Sequence, residues 1–66
     1  MKNRIRIERA ILNITQAELA DRVQVSRQTI NAIEAEKYSP SLALGMKIAR
    51  VFSKTTDEVF ELEEED

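Results

Sequence analysis

The chain has no cysteine and no histidine. The first absence excludes disulfide staples and thiolate metal ligands. The second removes the commonest metal ligand and the commonest general base. Neither a metal nor an organic cofactor is expected. Glycine and proline occur once each, as Gly45 and Pro40. Backbone breakers are therefore scarce, and with Ala, Leu, Ile and Glu abundant the chain reads as all-α. Apolar runs are only a few residues long, which excludes a membrane-spanning helix. Residues 1–10 interleave Arg4, Arg6 and Arg9 with isoleucines, so the continuous apolar stretch of a secretory signal is missing too. A cytoplasmic location is expected.

What is present suits one small domain. Sixty-six residues lie near the lower limit for folding alone. A 42% hydrophobic content indicates a globular rather than a disordered chain. The net charge of −2 hides an asymmetry, because residues 61–66 hold five of the twelve acids. Residues 1–60 carry ten Lys/Arg against seven Asp/Glu. A locally basic face can bind phosphate even when the total charge is negative. The expected division is a helical domain over 1–60 and an acidic tail over 61–66. That tail reads as a disordered, solubilising end, or as one that fends off non-specific nucleic acid or seeks a basic partner.

Five helices are predicted. The first spans Arg4 to Leu12, with Ile5, Arg9 and Leu12 on one face, Ile11 beside them and Asn13 as its stop. Ile5 and Ile7 also alternate as in a strand, so a short strand at a terminus is an added possibility. Thr15-Gln16-Ala17-Glu18 is a capping box. It opens a second helix, Gln16 to Val23, burying Ala17, Leu19, Ala20 and Val23. Ser26 caps a third, from Arg27 to about Glu36. Only Gln24 and Val25 link the two, which forces a sharp crossing at the small Ala20. Lys37-Tyr38-Ser39-Pro40 is a loop. Ser41 caps a fourth helix carrying Leu42, Leu44, Met46, Ile48, Ala49, Val51 and Phe52, with Met46 read as core filler. So apolar a helix must be central or lie against a partner. Thr56 is taken as the cap of a last helix, Asp57 to Phe60, whose two acids suit its positive end.

Two short helices joined by a tight turn make a helix-turn-helix, in which the second helix enters the major groove of DNA. Within Val25-Ser26-Arg27-Gln28-Thr29-Ile30-Asn31-Ala32-Ile33-Glu34, Ile30 and Ile33 can point into a core while Arg27, Gln28 and Asn31 share the other side. Arg27 has the donors for guanine O6 and N7, and Gln28 or Asn31 the amide for adenine N6 and N7. Gln16, at a helix start, can meet a phosphate together with free backbone N–H groups.

Thr15-Gln16-Ala17-Glu18-Leu19-Ala20, Val25-Ser26-Arg27-Gln28-Thr29-Ile30, Ile33-Glu34 and Tyr38-Ser39-Pro40-Ser41-Leu42 together resemble the phage-repressor and Cro-like (Xre-type) helix-turn-helix regulators. The resemblance runs from about Asn3 to Phe60 and is closest to short members made of this domain alone. It implies a five-helix, lambda-repressor-like fold and a sequence-specific regulator of double-stranded DNA. It also implies a homodimer on a palindromic operator. On this resemblance Arg27 and Gln28 fall on base-reading positions, with Asn31 a third. Ala32 falls where some members read bases through an amide; here it can only touch a thymine methyl. Thr15, Gln16, Lys37, Tyr38 and Ser39 fall on phosphate-contacting positions. Arg9 and Glu34 match a buried ion pair.

The chain departs from the pattern at Gln24, where many members have glycine, and at Glu8, Lys54 and Thr56, which are more polar than usual. Val59, Phe60 and Leu62 are expected to bury apolar area against a second copy, because so small a core gains from one. An alternative is an antitoxin-like or accessory module whose C-terminal surface binds another protein. An enzyme is disfavoured, because the acids and hydroxyls sit as helix caps and no cysteine or histidine can serve a nucleophile.

Overall fold

The computed structural model describes residues 1–66. Its elements are β1 (Lys2–Asn3), α1 (Ile5–Leu12), α2 (Gln16–Val23), α3 (Arg27–Glu34), α4 (Leu42–Val51), α5 (Thr56–Val59) and β2 (Phe60–Glu61). No helix is long and apolar enough to cross a membrane.

Hydroxyl caps set most helix starts. Thr15 accepts the Glu18 N–H while the Glu18 carboxylate accepts the Thr15 N–H, closing the expected box. Ser26 accepts from Thr29 and Ser41 from Leu44. The last helix is capped by Thr55, not Thr56. The reason is spacing: three residues after Thr55 stands Glu58, which can reach back, whereas three after Thr56 stands Val59. The Thr55 backbone N–H and then its hydroxyl hold the Glu58 carboxyl below the usual range. Phe60, expected at the end of this helix, is extended instead and lies in β2.

Three other boundaries differ. Arg4 stands at the cap position of α1 rather than within it, and its N–H donates to the Val59 carbonyl at 2.8 Å. The α3 helix ends at Glu34, not Glu36, because Glu36 is left-handed at φ 62° and the Lys37 N–H turns back to Ala32. The short strand is a pair: β1 runs antiparallel to β2, with Lys2 opposite Glu61 and Asn3 opposite Phe60. This ribbon crosses the expected boundary at residue 60.

Asn13 is left-handed at the end of α1, as expected of its side chain, and Gln24 is left-handed at φ 62° between α2 and α3. Holding a side chain there costs roughly 1–2 kcal/mol that glycine avoids. Part of the gain is returned because glycine frees the unfolded chain. Gln24→Gly is therefore expected to raise stability by about 1 kcal/mol, or about 4–8 °C in thermal midpoint for a domain this size. Calorimetry of the two proteins tests it.

Ile5, Leu19, Ile30, Ile33, Ile48 and Val59 are fully buried, with Ile14, Ala20, Val23, Ala49 and Phe52 completing the core. Several expected core residues are outside it. Ala17, Ile11 and Leu12 are exposed, and Met46 is 47% exposed rather than filling the core. On α1, Ile5 turns inward as its place on that face implies, and Glu8 rather than Leu12 joins it. Leu42 is 77% exposed, so α4 is central on one side only.

Burial of Glu8 explains two departures at once. Lys54 places its Nζ 3.9 Å from the Glu8 carboxylate, and Arg4 places its Nε 4.0 Å away. Two polar residues at nominally apolar positions thus answer each other across the α1–α5 seam. The acidic tail is not a loose end. Its Glu63 and Asp66 carboxylates lie 3.2 and 3.3 Å from the Met1 amine, and Asp66 also accepts the Glu63 N–H.

Candidate nucleic-acid interface

The α3 helix stands at the surface by one face. Ile30 and Ile33 go into the core, while Arg27, Gln28 and Asn31 are exposed on the opposite side. One turn separates Arg27 from Asn31, so both project the same way. Between them lies Gln16, the first residue of α2. Its Oε1 accepts from Arg27 Nη1 and its Nε2 donates to Asn31 Oδ1, both at 3.4 Å. Contacts this long are weak. They align the three side chains without holding them against competition from base edges. The remaining Arg27 donors and the Asn31 amide N–H groups stay free to face outward.

The sequence places Gln16 only at phosphate; its position between Arg27 and Asn31 is a finding of the structure, because the two helices meet only in three dimensions. Thr15 is exposed, but its hydroxyl is engaged by the Glu18 N–H, so any phosphate contact shares that oxygen. Lys37, Tyr38 and Ser39 are exposed together in the turn after α3, with Tyr38 at 51%. Ala32 is half-buried at the margin of the reading face. The structure thus brings Gln16 of the α2 start together with Arg27 and Asn31 of the polar row on α3, and leaves Thr15 and the loop residues Lys37, Tyr38 and Ser39 exposed.

Arg9 and Glu34 are joined behind that surface. Arg9 Nε donates to Glu34 Oε2 at 2.7 Å and Nη2 to Oε1 at 3.1 Å, the two-pronged arrangement that a guanidinium favours. Its Nη1 donates to the Ile14 carbonyl at 3.0 Å. The Glu34 side chain is 1% exposed, and the hydrogen bond to Glu34 raises the Arg9 pKa against the opposing effect of burial. Arg6 adds a second cation, its Nε 3.6 Å from Glu34 Oε1. Both arginines come from α1, so one carboxylate fastens α3 to it.

The expected subunit contact needs correction at one residue. Val59 is 1% exposed and packs inside its own chain, so it has no surface to give a second copy. Its neighbours do. Phe60 lines an open groove with Pro40, Leu42, Gly45 and Leu62, and Leu62 is 76% exposed. This groove contains none of the residues of the polar row.

The sequence pattern described as Helix-turn-helix matches residues 5–59. The chain is also similar to proteins described as uncharacterized HTH-type transcriptional regulators. One, from Methanocaldococcus jannaschii, is 47% identical over all of both chains. Another, from Archaeoglobus fulgidus, is 50% identical over the whole of this chain and 93% of its own. A third, YgzD of Bacillus subtilis, is 46% identical over 98% of each.

Proposed function

The chain belongs to the helix-turn-helix family of DNA-binding transcriptional regulators, and from this premise we propose that it reads a specific double-stranded operator through α3. The observation that supports this most is the exposed row Arg27, Gln28 and Asn31, with Gln16 bridging Arg27 to Asn31, while Ile30, Ile33 and Glu34 of the same helix are buried. The N-terminal half of α3 enters the major groove, with Arg27 on guanine and Gln28 and Asn31 on adenine. Gln16, Thr15, Lys37, Tyr38 and Ser39 brace the flanking phosphates. The protein acts as a homodimer on a palindromic operator, joined through the groove at Phe60 and Leu62. Two copies then present α3 about 34 Å apart, one turn of B-DNA. The effect is repression by occupancy, in the cytoplasm where the DNA is. Members of this family are not enzymes.

Selection from a random duplex pool with the purified full chain, followed by sequencing, tests the reading. An enriched inverted repeat with half-site centres about 10 base pairs apart supports it. No enrichment in low as well as moderate salt overturns it. A second reading would then lead, in which the groove receives another protein and α3 needs that partner. The exposed Leu42 and Leu62 around the groove are then the surface that this other protein covers.

A further inference from the structure

We propose that Asn3 is a positioning residue for the reading helix. Its side chain fixes the last turn of α3 to the terminal ribbon, and so sets the angle at which Arg27, Gln28 and Asn31 meet the bases. The inference rests on the base-reading function proposed above.

Asn3 lies in β1, held against Phe60 of β2. Its amide is used at both ends. Oδ1 accepts the Ile5 N–H at 3.2 Å, serving the start of α1. Nδ2 donates to the Ile33 carbonyl at 2.9 Å, thirty residues away in the chain. That carbonyl also accepts the Glu36 N–H, so its two lone pairs have two donors. Beyond this bond β1 and α3 share little contact.

The last turn of α3 is thus held at two groups: the Ile33 carbonyl by Asn3, and the Glu34 carboxylate by Arg9 and Arg6. All three clamping side chains come from the first nine residues. The reading residues lie toward the other end of the same short rod. An eight-residue helix is about 12 Å long, so a tilt of about 5° at its last turn moves the far end by about 1 Å. A displacement of that size is enough to spoil a bidentate base pair while leaving charge attraction to phosphate nearly unchanged.

The position requires one acceptor and one donor on a side chain of this reach. Asn3→Asp keeps the acceptor for Ile5 and lacks the donor. Asn3→Ser keeps a short acceptor, adds no charge and cannot reach Ile33. Both full-length variants and the wild type are to be titrated by fluorescence anisotropy against the selected operator and a scrambled duplex. The temperature is one at which circular dichroism shows each folded.

The expected result is a fall of about fivefold to tenfold in operator affinity, the scale of one net hydrogen bond. Affinity of Asn3→Ser for the scrambled duplex stays at the wild-type value. A wild-type ratio of specific to non-specific binding in both variants overturns the inference. Loss of fold in both at 10 °C also overturns it, because Asn3 then acts on stability alone. Wild-type protein that prefers no duplex defeats the base-reading function itself, a result distinct from either.

Discussion

Arg27→Ala is expected to lose operator affinity mainly at one base position in each half-site, by about 1–3 kcal/mol per half-site. The physical basis is the freedom of its guanidinium. Arg27 is exposed, at the first position of α3, and the only hydrogen bond of its side chain is a long one to Gln16. Little must be broken before it pairs with guanine. Truncation leaves guanine O6 and N7 facing the groove without donors, and any other base then fits almost as well. Competition between the selected operator and single-base variants measures this directly. Wild type should penalise a change at the contacted guanine and Arg27→Ala should not. A uniform loss across all duplexes, with a shallower salt dependence, would instead mark Arg27 as a phosphate contact. Folding should be untouched, since the side chain is exposed on the surface.

The largest effect on stability is expected from Glu34→Ala. Removing one partner of a buried ion pair costs about 3–5 kcal/mol, because the other charge is left desolvated and unpaired. Here the Glu34 side chain is 1% exposed and receives two hydrogen bonds from Arg9. Arg6 would also lose its carboxylate, leaving two cations facing each other. Total stability at about 0.05–0.15 kcal/mol per residue gives a domain of this length roughly 3–10 kcal/mol. The loss is therefore from about a third to all of the total stability, and the unfolding midpoint should fall by at least that fraction. Urea titration monitored at 222 nm checks it. The double replacement Arg9→Met with Glu34→Leu removes both charges and should recover much of the loss. Equal destabilisation by the single and double changes would show that the pair carries no special cost when split.

Local chemistry was enough to find most of the architecture. The α2 boundaries, the αL stop at Asn13 and the caps at Thr15, Ser26 and Ser41 each depend on a few neighbouring residues. So does the outward row on α3, which follows from helical spacing alone. The last cap was misplaced by one residue because two threonines stand side by side, and only the reach of Glu58 decides between them. Met46 and Leu42 were apolar but not inside, since an apolar α4 says nothing about which of its sides the other helices cover. The same gap put Val59 in a subunit contact when it closes the chain's own core.

By itself, the sequence determined a small all-helical domain, its helix-turn-helix and the three side chains that face outward from α3. Caps, turns and periodicity act over three or four residues, so their consequences are written locally. The tertiary structure decided everything that joins distant segments: the Glu8–Lys54 pairing, the ribbon between the two ends, Gln16 between Arg27 and Asn31, and Asn3 on the Ile33 carbonyl. Each of these is a short-range polar contact between groups far apart in the chain. Its existence depends on how the helices cross, and helix crossing is set by the packing of the whole core rather than by any one stretch of residues.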